Sequence, residues 1–191
     1  MIRSTAAPIQ LEQHSDNLIS WEEFQERFLS REDQYKYEWV NGIVQQTKRA
    51  MQGNQFFILH ILQNLIRKLK SEKDLNWDII PEGDMFFNGN HRRPDIAFYT
   101  IDQIKLASEG KNVIPKFVIE VISSNDQMNR VHQKMEDYYN SDVEVIWHIL
   151  PAVKQVHIYR GRNMEVKKDD EICSANSVIE GFEIEASQLF I

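Results

Sequence analysis

The stretch Phe117-Val118-Ile119-Glu120-Val121-Ile122 limits what this chain can fold into more than any other segment, because it is a near-continuous apolar run with one carboxylate inside it. A strand with one wet face alternates apolar and polar residues. An unbroken β-branched and aromatic run instead describes a central strand covered on both faces. An ionised carboxylate buried there without a partner costs several kcal/mol, so Glu120 calls for something cationic beside it.

A covered strand needs layers around it, and the flanking sequence supplies them. Ser20 and Glu23 have capping-box spacing, with Ile19 and Phe24 placed as a hydrophobic staple, so a short helix is expected over residues 21–29. Tyr35 to Val40, Asn41-Gly42 and Ile43-Val44 read as a β-hairpin on the dipeptide that most favours a type I′ turn. Apolar residues at 57, 58, 61, 62, 65, 66 and 69 have helical spacing. One or two strands fall within residues 77–87, and others over 94–99 and 116–122. Ser124, Asn125 and Asp126 are N-cap candidates for a helix striped by Met128, Val131, Met135 and Tyr138 and ending near Asn140. An apolar strand over 143–150 is closed by Pro151, and a second hairpin turns near Gly161. The order describes an α/β chain with a mixed central sheet flanked by helices. Residues 1–19 read as a loose lead-in and residues 20–191 as one domain.

Composition narrows the class. With 191 residues, 42% of them hydrophobic and 27% charged, the chain can bury a sizeable core, which excludes disorder for the bulk. The single cysteine, Cys173, permits no intramolecular disulfide and no thiolate zinc cluster. No run reaches the ~18–20 apolar residues of a membrane span, and residues 1–20 lack a signal-peptide core, so a cytoplasmic location is expected. The net charge of −7 argues against generic polyanion binding, although it leaves room for a local basic surface.

Asp95 follows Pro94 at the start of one strand, and Glu120 lies in the next strong one. Neighbouring strands run about 5 Å apart, so two carboxylates on one face can share a divalent ion. With the backbone carbonyl of Val121 they would suit Mg²⁺, which keeps several waters. A structural reading stands beside this one: Asp95 caps a turn, and Glu120 pairs with Arg92 or Arg93. Lys134 lies off the apolar stripe of its helix. It reads either as the cation that reaches back to Glu120, where it could steady an attacking water or a transition-state phosphate, or as a solvated helix residue. Glu38 reads as a further acid ligand or as an exposed strand residue. Trp21, Trp39, Trp77 and Trp147 are expected in core or interface positions.

Arg93-Pro94-Asp95 with Ile96-Ala97-Phe98, then Pro115 through Ser124, Lys134 with Tyr138 four residues on, and Val143-Glu144-Val145-Ile146-Trp147 together resemble the Uma-two family of restriction-endonuclease-like proteins. That family belongs to the PD-(D/E)XK nuclease-like superfamily. The likeness extends upstream to Glu38-Trp39-Val40-Asn41-Gly42 and downstream to Gly181-Phe182 and Leu189-Phe190, covering about residues 35–191.

The resemblance implies a restriction-endonuclease-like core carrying an N-terminal helix and β-hairpin. It also implies a metal-dependent endonuclease acting on DNA, with Mg²⁺ or Mn²⁺ held by Asp95, Glu120, the Val121 carbonyl and Glu38. Lys134 stands for the lysine of the acid-x-lysine element, whose usual position is occupied by Ile122. Asn54 or Gln55 stands where the family tends to place a histidine, and Leu150 where it tends to place an acid. Arg92, Arg93 and Lys68, with Lys70 and Lys73, become candidate phosphate contacts, their alternative being an ordinary solvated face. A homodimer is expected by analogy with enzymes that cut both strands of a duplex. The competing function is a catalytically inactive nuclease fold that binds nucleic acid or protein.

Overall fold

The computed structural model describes residues 18–48, 53–73, 75–87, 89–123 and 127–191. Nearly all of the expected lead-in, and the cap candidates Ser124, Asn125 and Asp126, lie outside the described residues.

Helix α1 (Trp21–Phe24) starts on Ser20, whose side chain accepts from the Glu23 N–H as its spacing predicts, and continues as a π-helical turn over Gln25–Leu29. Strands β1 (Tyr35–Val40) and β2 (Ile43–Lys48) pair antiparallel around Asn41 and Gly42, both at positive φ (51° and 82°), as a type I′ turn requires. β2 runs past Val44 because ladder hydrogen bonds carry the polar residues Gln45 to Thr47 along with it. Helix α2 (Gly53–Glu72) buries Ile58, Leu62, Ile66 and Leu69, one stripe at helical spacing.

Strands β3 (Trp77–Pro81), β4 (Met85–Phe87), β5 (Asn90–Arg92) and β6 (Ile96–Thr100) follow, then helix α3 (Ile101–Ser108). Neither β5 nor α3 is among the expected elements. β5 is wholly polar yet buried, so it gives no hydrophobic signal, whereas α3 is opened by a capping box between Thr100 and Gln103. Strand β7 (Phe117–Val121) leads to helix α4 (Met128–Tyr139) and strand β8 (Val145–Leu150). Strands β9 (Gln155–Arg160) and β10 (Asn163–Lys168) form the second hairpin, and β11 (Ile172–Ser174) pairs with β12 (Glu183–Glu185).

The main sheet has the order β10-β9-β8-β7-β6-β3, and a smaller one has the order β2-β1-β5-β4. Within the main sheet β7 and β8 are parallel, joined through α4, while the other neighbouring pairs are antiparallel. Strand period sorts the core. Phe117 and Ile119 pack with α2, Trp147 and Phe182 on one side of the sheet, while Val118 packs with Met85, Ala97 and Tyr138 on the other. Glu120 therefore emerges on the side where α4 and the smaller sheet lie. Trp147 is fully buried against Phe117 and Phe182, and Trp21 stacks on Phe24 and Phe86. Among the described residues no helix is long and apolar enough to cross a membrane.

Candidate active site

Five elements converge on one buried polar cluster. β6 and β7 pair as far as Ile96 opposite Ile119, and just beyond that pair the Asp95 side chain accepts the Val121 N–H, which brings it next to Glu120. β1 contributes Lys36 and Glu38, two positions apart and hence on one face of their strand. α4 contributes Lys134 and Tyr138, one helical turn apart. β5 and the residue after it supply Arg92 and Arg93.

Each acid meets a cation. Asp95 Oδ1 accepts from Lys36 Nζ at 2.9 Å; its Oδ2 accepts from the Val121 N–H at 2.9 Å and from Gln55 Nε2 at 3.4 Å. Glu120 Oε1 lies 2.9 Å from Lys134 Nζ and accepts the Tyr138 hydroxyl hydrogen at 2.6 Å. Glu38 Oε1 lies 3.0 Å from Lys134 Nζ and accepts the Arg93 N–H at 2.9 Å, while its Oε2 accepts from Arg92 Nη1 at 3.0 Å. Both lysines donate to the Arg93 carbonyl at 3.2 Å. The Arg92 guanidinium also donates to Asp137 Oδ2 at 2.8 and 2.5 Å and to Gln45 Oε1 at 3.1 Å.

This arrangement separates the three carboxyls electrostatically. Burial pushes Glu38 up, but Lys134, Arg92, Lys36 and the Arg93 N–H outweigh it and hold the group well below the usual carboxylate range. Burial likewise opposes ionisation of Asp95, and Lys36, Lys134 and the Val121 N–H overcome it. Glu120 goes the other way: burial, with the negative charges of Asp95 and Glu38 added, exceeds the help of Lys134 and Lys36 and raises it above its ordinary value. Burial would lower Lys36, yet Asp95, Glu120 and Glu38 raise it, so its ammonium stays charged.

Every acid of the cluster is already engaged: both Glu38 oxygens meet Lys134, Arg92 and a backbone N–H, just as Asp95 meets Lys36 and Glu120 meets Lys134. Arg92 is 1% exposed and Arg93 6%, with the Arg93 guanidinium donating to Asp84 and to the Leu29 carbonyl at 3.1 Å, so neither presents a free fork to a phosphate. The structural pairing of Glu120 with Arg92 or Arg93 is not formed either; Lys134 fills that place. Lys68 is exposed but lies thirteen residues along α2 from Gln55, about 20 Å at 1.5 Å per residue, which removes it from this cluster. Lys70 and Lys73 pair with Asp78 and Glu180 at 2.9 and 3.0 Å. Lys36, which the sequence reading passed over, was readable from strand period alone, two positions before Glu38.

The donor chemistry suits a hard divalent cation. Among the described residues no group of three or more His, Cys, Asp or Glu side chains surrounds one position. Mg²⁺ does not need one, since it is commonly held by one or two carboxylates together with waters and substrate phosphate. Asp95 and Glu120 are the two carboxylates that would serve, with the Val121 carbonyl next in the chain.

A mixed sheet flanked by helices, with acids gathered on one face and a lysine reaching in from the crossover helix, defines the class as an α/β fold. A crystal structure titled as a "putative nuclease belonging to DUF820" from Anabaena variabilis matches with a TM-score of 0.74, covering 90% of this chain and 97% of that one at 19% identity. The chain belongs to the Uma2 family, described as "Putative restriction endonuclease", whose profile it matches over residues 21–187. No curated protein matches the sequence.

Proposed function

We propose that this chain is a metal-dependent endonuclease that hydrolyses DNA phosphodiester bonds as a cytoplasmic homodimer, with Mg²⁺ or Mn²⁺ held by Asp95, Glu120 and the Val121 carbonyl. The observation that carries the reading is that Asp95 accepts the N–H of Val121, the residue next to Glu120, at 2.9 Å, with Lys134 Nζ 2.9 Å from Glu120. A bound divalent cation would acidify a water and polarise the phosphate. The chain's own groups prepare that chemistry. Val121 and Gln55 fix Asp95 through its Oδ2, and Glu38 anchors Lys134 so that its ammonium stays beside Glu120 and opposes charge building on a phosphate held there.

The test is cleavage of plasmid and short duplex DNA with Mg²⁺ or Mn²⁺. Asp95→Asn, Glu120→Gln and Lys134→Met are each expected to lower the rate by about 10²-fold or more. Cleavage that survives in both acid variants rejects the site. A non-catalytic binding role is favoured by one observation, the saturation of these acids with ammonium and guanidinium donors. Duplex binding at low salt without cleavage under either metal would select it.

A further inference from the structure

Lys36 stands apart from the other cations of the cluster. It is 8% exposed, and its ammonium has two hydrogen-bond acceptors, Asp95 Oδ1 at 2.9 Å and the Arg93 carbonyl at 3.2 Å. Lys134 by contrast is shared among Glu38, Glu120 and the same carbonyl. Asp95 has its other oxygen committed to the Val121 N–H and Gln55, which leaves Oδ1 as the oxygen with capacity for a cation, and Lys36 is already on it.

We propose that Lys36 is a built-in competitor for the metal: its ammonium holds Asp95 in place in the metal-free protein, and a divalent cation binds Asp95 only by weakening that ion pair. This deepens the metal-dependent reading and rests on it. A cation about 2.1 Å from Oδ1, with the ammonium still 2.9 Å from the same oxygen, would set two positive centres at most about 5 Å apart in a mostly buried site. Like charges so close repel strongly where water screens little. The Arg93 carbonyl gives Lys36 a second acceptor, so its ammonium keeps a partner when Asp95 turns to the metal. The structural consequence is a site that is neutralised and ordered before metal arrives, at the expense of metal affinity.

Calorimetric titration of the full chain with Mn²⁺, paired with thermal melting with and without Mn²⁺, tests this on the wild type, Lys36→Gln, Lys36→Met and Lys36→Arg. Gln keeps a donor for Asp95 and guards against a variant that fails to fold, and Arg keeps the charge. Lys36→Gln and Lys36→Met are expected to melt lower without metal, to bind Mn²⁺ about tenfold tighter and to gain more Tm from it, while Lys36→Arg stays near the wild type. Unchanged or weaker Mn²⁺ binding by the folded neutral variants overturns the role of Lys36 and leaves the metal site standing. Absence of saturable binding in the wild type and in every folded variant overturns both.

Discussion

Tyr138 donates its phenolic hydrogen to Oε1 of Glu120 at 2.6 Å, with both side chains buried. One helical turn earlier Lys134 reaches the same oxygen at 2.9 Å, so α4 meets the acid of β7 with two donors set by i, i+4 spacing. Tyr138→Phe removes one of them with little change in volume. A loss of about 2 kcal/mol in urea unfolding is expected, the usual range for a hydrogen bond to a charged group. A change under about 0.5 kcal/mol would show that the bond is not formed in solution.

Arg92 carries a second prediction. It is 1% exposed and joins Glu38 of β1 to Asp137 of α4. Arg92→Met leaves two acids without their shared cation and is expected to destabilise the protein by about 3–5 kcal/mol. Arg92→Lys recovers only part of this, because a single ammonium cannot reproduce a fork that contacts Glu38, Gln45 and Asp137 together. Full recovery by lysine in denaturant unfolding would contradict the geometry.

His148 makes stability depend on pH. It lies on β8 beside Glu120 in register, and burial, with His157, Lys134 and His132 adding to it, lowers its pKa to about 4. The folded protein thus favours the neutral ring, whereas the unfolded chain protonates near 6.5. The contribution is fully present above pH 6.5 and is lost as pH falls toward about 4, on the order of 3 kcal/mol in all. Glu120, raised by burial, acts with the opposite sign, so the informative quantity is the difference between wild type and His148→Gln. That difference should shrink by more than about 1 kcal/mol between pH 7 and pH 5; a constant difference would remove His148 from the account.

Lys68 supplies a negative control for the site. About 20 Å along α2 from Gln55, it is too far to touch a phosphate held at Asp95. Lys68→Ala is expected to leave duplex cleavage within about twofold of the wild type at fixed salt. A loss comparable to that of Lys134→Met would mean that bound nucleic acid follows α2 instead of the carboxylate pair.

Local chemistry made much of this fold legible. The Asn41-Gly42 turn, the striped helix α2, the apolar β7 and β8 and the hairpin near Gly161 each announce themselves through φ preference or periodicity. β5 did not, because Asn90, His91 and Arg92 are polar residues buried by ion pairs and hydrogen bonds, to which hydrophobic patterning is blind. α3 was legible in principle through Thr100 and Gln103, a signal weaker than the apolar runs on either side.

The amino-acid order by itself determined that Glu120 would be a buried acid in need of a cation, that Lys134 would stand one helical turn before Tyr138, and that Lys36 and Glu38 would share a strand face. Only the tertiary structure decided which cation meets which acid: Lys36 with Asp95 across 59 positions, and Arg92 with Glu38 across 54. Periodicity reports a residue's direction from its own element. Ion pairing depends on sheet register and on how α4 and the smaller sheet dock, and distances of a few ångströms between remote residues exist only once those elements have packed.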